Sequence, residues 1–167
     1  RWDMEEQVFR NSMKLELAAN MRKIDSVFFH EDIKAKQLSE LKQIEMMKVG
    51  HRTANFISFQ EKNGEKINRN IYDFVENIDL NNQRLEKQVN NRNFQYYYLI
   101  DKVSDELPDS IYPLAVIDTV NKYSTIVSIR NMIISSIVKS AFYSEEVNPE
   151  KLIMTYERNF GILEKDN

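Results

Sequence analysis

One histidine stands in a setting that could support chemistry. His51 lies in the stretch GHRTANF at residues 50–56, with Arg52 beside it and Asn55 four residues further on. A neutral imidazole on an exposed helical face is nucleophilic near pH 7 and can accept a phosphoryl group. The alternative is an ordinary helical histidine beside a bend at Gly50. His51 is therefore a candidate phosphoacceptor, and no catalytic residue is predicted.

A second stretch is typical of recognition. Residues 92–103 read RNFQYYYLIDKV, and consecutive side chains of a helix point about 100° apart, so one neighbour cannot cover three tyrosines in a row. Tyr96 is in phase with the apolar residues around it and is expected to face the core. Phe94 and Tyr98 share another face, and Tyr97 lies on a third. These four residues either are surrounded by helices of the same chain or bind a ligand or partner.

Several common site motifs are absent from the sequence. The residues three before the two histidines are Val27 and Lys48, so the Glu-x-x-His pattern of carboxylate-bridged metal sites does not occur. Neither H-E-x-x-H, a P-loop, G-x-G-x-x-G nor G-x-S-x-G is present. There are no cysteines, which excludes disulfides and thiolate ligands. The prediction is that the chain uses no metal and no cofactor.

Charge and hydrophobicity limit which classes of partner are expected. The net charge is −3 and no basic stripe stands out, so nucleic acid is not an expected partner. The most apolar stretch, residues 124–142, is interrupted by Arg130 and Lys139, which favours a buried helix over a membrane span. Any membrane attachment is therefore expected to come from segments outside this chain.

The pattern of apolar residues predicts an all-α protein. Only 3 glycines and 3 prolines occur among 167 residues, which favours long helices over strands. Apolar residues recur three and four positions apart along most of the chain. We expect one elongated antiparallel bundle of four to five helices over residues 1–167, with one long helix over 65–107 favoured over two and another over 111–142. Kinks are expected near residues 30, 50 and 81, and turns near 63–64, 108–110 and 144–149.

Two resemblances suggest functions. His51, Arg52 and Asn55 resemble the phosphoacceptor box of one histidine-kinase subfamily, which implies a phosphorelay module. The long helices resemble the extracytoplasmic helical-bundle sensor domains of bacterial chemoreceptors and sensor histidine kinases. That resemblance implies a membrane-tethered, non-catalytic domain outside the cytoplasm that binds a ligand between helices, near Tyr96–Tyr98, and responds by small helix displacements. The alternatives are a protein–protein interaction or scaffold module, including a secreted effector, and a homodimer.

Overall fold

The computed structural model describes residues 4–30, 34–68, 71–73, 78–103, 107–144 and 147–160. In these residues the regular structure is helical, which confirms the predicted all-α class. The described part of the chain contains six α-helices, one more than the upper limit of the prediction. They are α1 (Glu6–His30), α2 (Ala35–Lys62), α3 (Val89–Ile100), α4 (Tyr112–Tyr123), α5 (Val127–Phe142) and α6 (Pro149–Phe160).

The chain groups into two compact units, one ending at Tyr98 and the other beginning at Leu99. The boundary falls inside α3, whose last two residues, Leu99 and Ile100, belong to the second unit. The prediction of a single domain stays a prediction. Among the helices that the structure describes, none combines the length and apolar character that a bilayer crossing requires.

The first unit is built on an antiparallel pair of long helices. The rings of Phe9 and Phe56 stack with their centroids 3.9 Å apart, near the start of α1 and the end of α2. Towards the other end of the pair, Asn20 donates a hydrogen bond to Glu45, and Lys42 pairs with Asp25 at 2.6 Å. Because partners early in α1 lie late in α2, the two helices run in opposite directions along their length.

α2 ends at the predicted turn. Gly64 adopts a left-handed backbone conformation with φ of 83°, which glycine reaches without a Cβ clash. The chain then stays out of regular α-helix in the described residues from 65 to 88. The expected bend at Gly50 does not end α2, because the helix continues through that residue to Lys62.

The prediction of a single long helix over residues 65–107 is wrong. The described part of this region contains 3-10 turns at 71–73 and at Gln83–Leu85, and α3 begins only at Val89. Asp79 accepts a hydrogen bond from the backbone N–H of Asn81, and Asn82 accepts one from that of Arg84. Such local bonds to short polar side chains compete with helix formation.

One ion-pair cluster fastens this irregular region to α1. Asp73 accepts hydrogen bonds from Arg10 and, at 3.4 Å, from Lys14. Burial raises the pKa of Asp73, but the hydrogen bonds and positive charges of Arg10 and Lys14 outweigh it and hold that pKa below its ordinary value of 3.8. The carboxylate is therefore ionised, and bonded to α1, across the neutral pH range.

The described residues of the second unit form three shorter helices, α4, α5 and α6, after the end of α3. The prediction of a continuous helix over residues 111–142 is wrong, because the non-helical residues 124–126 separate α4 from α5. Ser124 is extended there, and serine and β-branched threonine favour non-helical backbone. α6 begins directly after Asn148, whose side chain caps the helix by accepting from the N–H of Glu150 at 2.9 Å.

Candidate functional site

The tyrosine turn belongs to α3, and its buried face differs from the predicted one. Phe94 and Gln95 are fully buried, whereas Tyr96, Tyr97 and Tyr98 are half-buried. The prediction that Tyr96 rather than Phe94 faces the core is therefore wrong. The phase was counted along a long helix that does not form, and it considered only apolar residues, whereas Asn91 and Gln95 lie on the buried face.

Phe94 packs directly against the backbone of α2 at Gly50. A Cβ atom added to Gly50 would lie 2.5 Å from both Cδ2 and Cε2 of Phe94, closer than real Cβ contacts allow. Glycine at this position therefore permits an approach of α3 that no other residue would. We call this contact between Gly50 and Phe94 the α3 seat.

Aromatic rings surround the α3 seat. Tyr98 stacks on Phe94 at 4.9 Å between ring centroids, and Tyr72 meets Tyr98 edge-on at 5.2 Å. Tyr72 is buried and also contacts the edge of Phe94. Offset and edge-to-face pairs at these distances stabilise the packing beyond their buried area. Phe94 and Tyr98 are thus joined to the core of the first unit, as the shared helical face predicted for them suggested.

His51 lies next to the seat and contacts the same turn of α3. Its ring is nearly parallel to that of Tyr97, with 6.3 Å between centroids, and Asn55 approaches its Nε2 at 3.4 Å. The half-buried histidine thus has neighbours on α2 and α3. Its assignment as a phosphoacceptor stays a prediction, which incubation with a phosphodonor and comparison with His51→Gln would decide.

Two buried amides of α3 hold the preceding segment in place. Gln95 Nε2 donates to the carbonyl of Leu80 at 2.7 Å, and Asn91 Nδ2 donates to that of Leu85 at 3.0 Å. Gln95 Nε2 also donates to Asn91 Oδ1 at 3.0 Å. Both side chains are fully buried, so these bonds are shielded from competing water. Any movement of α3 would therefore also displace residues 80–85 or break these hydrogen bonds.

The described residues present surface concavities but no metal-binding cluster. In the residues that the structure describes, no cluster of three His, Cys, Asp or Glu side chains could hold a metal ion. Among the residues that the structure describes, three surface concavities lie away from Tyr96, Tyr97 and Tyr98. One lies in the second unit at Lys102, Lys122 and Tyr123; another lies beside Gln60; the third, lined by Gln43 and Arg84, separates α2 from the segment preceding α3.

Sequence reasoning missed the seat and the buried amides. An isolated glycine inside helical sequence was interpreted as a bend, whereas close contact with another element is the other common reason for one. The i,i+4 spacing of Asn91 and Gln95 is the available signal for a shared face, but the polar sequence around Asn91 favours either a solvated helix face or a break in the helix.

Comparisons with protein-family models, with curated proteins and with solved structures find no match for this chain. Its function is therefore inferred from its own residues.

Proposed function

We propose that this chain is a non-catalytic helical sensing domain in which binding to the first unit changes the position of α3 on α2. The observation that carries the proposal is the α3 seat, where Phe94 rests against Gly50 without an intervening side chain. α3 also continues across the boundary between the two units, at Tyr98–Leu99. A displacement of α3 in the first unit is thus passed by the helix itself to the start of the second.

The tyrosines are the contact surface in this proposal. Tyr96, Tyr97 and Tyr98 lie beside the seat and are only half-buried, so each keeps part of its ring or hydroxyl accessible. Tyrosine combines a rigid apolar ring with a polar tip, which suits recognition of a ligand or a partner protein. Small helix shifts at a packed interface are a common means of transmitting such binding, because packed interfaces have discrete arrangements.

Hydrogen exchange tests the proposal. A panel of small metabolites is first screened for an increase in melting temperature, and any hit is then examined by exchange of the α3 amides. We expect a ligand-dependent change of exchange in α3, and a smaller change in the double variant Tyr97→Ala, Tyr98→Ala. Tyr143→Ala, at a residue 75% exposed in the second unit, is the matched control. An identical α3 response in the double variant and the wild type would contradict the proposal.

A protein-interaction module is the second candidate, favoured by exposed apolar residues in the second unit. Phe142 and Tyr143 form an edge-on pair at the end of α5, and both are well exposed. Met154 on α6 is exposed as well. Where the partner is a second copy of this chain, size-exclusion chromatography with light scattering tests this candidate. A dimer that dissociates in Phe142→Ser, Tyr143→Ser would favour this candidate, and a monomer unaffected by these changes would count against it.

A further inference from the structure

A polar crevice of about 360 Å³ lies between α2 and the segment that precedes α3. The side chains on its α2 wall include Lys36, Glu40 and Gln43; those on the opposite wall include Asp79, Asn82 and Arg84. The volume is within the range of small-molecule sites. The crevice is separate from the tyrosines, which do not line it.

One atom of the crevice lacks a hydrogen-bond partner. The side-chain oxygen of Gln43 is buried, and no donor reaches it among the residues that the structure describes. A buried acceptor without a donor destabilises the folded state, and most such atoms are satisfied by protein, water or ligand. Because Gln43 lines the crevice, a turn of its side chain towards the crevice would let this oxygen accept from an N–H donor of a ligand.

The charges of the crevice define the kind of ligand. The crevice is lined by two cations, Lys36 and Arg84, and by two carboxylates, Glu40 and Asp79, so these four groups sum to zero formal charge. Arg84 pairs with Glu40 at 2.9 Å, leaving a guanidinium with further N–H donors. A balanced set of opposite charges favours a ligand that is itself neutral overall but carries both signs.

We propose that the crevice binds a small zwitterion, a molecule with an ammonium and a carboxylate group a few bonds apart. The ammonium group donates to Gln43 Oε1 and to the carboxylate of Asp79. The carboxylate group of the ligand accepts from Arg84 and Lys36. Each end of the ligand thus meets groups of opposite charge, and the unsatisfied oxygen of Gln43 gains a donor.

The opposite wall of the crevice is held by α3. Residues 80–85 are bonded through the carbonyls of Leu80 and Leu85 to the buried amides Gln95 and Asn91. These bonds fix the wall before a ligand arrives, and they connect it to the helix that carries the tyrosines. Ligand binding itself depends only on the crevice, whereas its transmission to α3 rests on the proposed sensing function.

Calorimetric titration with free α-amino acids tests the inference. The N-acetyl derivatives remove the ammonium group, and the methyl esters remove the carboxylate. We expect at least one free amino acid to bind and both of its derivatives to bind about tenfold more weakly, since each loses a charged hydrogen bond. Gln43→Met and Arg84→Met should weaken binding similarly. Lys122→Met, in the concavity of comparable volume in the second unit, is the matched control.

The outcomes separate the two proposals. Absence of binding by every amino acid tested, or undiminished binding by Gln43→Met, would overturn the crevice assignment. Circular dichroism of Gln43→Met confirms that the variant is folded, so that weakened binding can be attributed to the lost oxygen. Binding that is sensitive to Gln43→Met but leaves hydrogen exchange in α3 unchanged would support the crevice and contradict the sensing function.

Discussion

Replacing Gly50 by alanine is the sharpest test of how α3 is packed. On an isolated helix this change would stabilise α2 by about 1 kcal/mol, because alanine has the higher helix propensity. In this protein the new methyl group would lie 2.5 Å from two ring carbons of Phe94. Since that ring is fully buried, it cannot move aside without disturbing its neighbours.

The magnitude follows from two opposing effects. Overpacking of a buried site typically costs about 1–3 kcal/mol, and the severity of this overlap places the cost near the upper end. After the gain in helix propensity, Gly50→Ala should lower the free energy of unfolding by about 1–2 kcal/mol. Urea unfolding followed by far-ultraviolet circular dichroism measures this quantity.

A second background provides the control. Phe94→Ala removes the ring at its own cost of about 3–5 kcal/mol. In that background Gly50→Ala meets no ring carbon and should stabilise the protein by about 1 kcal/mol. The sign of the effect thus reverses, with a coupling energy of about 2–3 kcal/mol between the two sites. If Gly50→Ala stabilises both backgrounds equally, Phe94 does not pack against Gly50 as the α3 seat requires.

Three further predictions concern the surroundings of α3. Gln43→Met should raise the free energy of unfolding by about 1 kcal/mol in denaturant titration, because it removes a buried acceptor without a donor; a loss of stability would show that the oxygen is already satisfied. Gln95→Leu should cost about 1–3 kcal/mol and speed hydrogen exchange in residues 80–85, since it leaves the carbonyl of Leu80 without its donor; unchanged exchange there would count against the anchoring role. The pKa of Asp73 is lowered on folding, so the stability it contributes is present above its ordinary value of 3.8 and is lost as pH falls through the folded-state pKa. Because its side chain is 38% exposed, the loss should stay below about 1 kcal/mol. When the free energy of unfolding of Asp73→Asn is measured as a function of pH, this acid-induced loss of stability should be absent. An identical pH dependence in the variant and the wild type would refute the assignment.

The class of fold was predictable because hydrophobic periodicity and scarcity of turn residues are local properties. Phe9 and Met13, four positions apart on α1, lie in the core, and Gly64 lies in the turn that ends α2. Helix ends in polar sequence were harder to predict. Asp79 and Asn82 stop the expected long helix by bonding to nearby backbone N–H groups, a competition that apolar periodicity does not report.

The candidate site was predicted less well, because its key contacts join residues far apart in sequence. Phe94 lies 44 positions after Gly50 in the sequence (94 − 50), and nothing local to either residue identifies its partner. Similarly, Gln43 lies on α2 and Arg84 follows the irregular segment, so their common crevice exists only once the chain has folded. The aromatic turn was recognised from composition, but which of its rings is buried depended on the correct helix start.

The central claim, that binding moves α3 on α2, can be measured as a distance. The chain contains no cysteine, so a pair of spin labels can be attached at Leu41→Cys on α2 and Arg92→Cys on α3, both exposed positions within the first unit. Electron–electron double resonance then gives the distance distribution with and without a bound amino acid. The account predicts a ligand-dependent shift of that distribution, which the Gln43→Met variant loses. An unchanged distribution at a ligand concentration that saturates the crevice would contradict it.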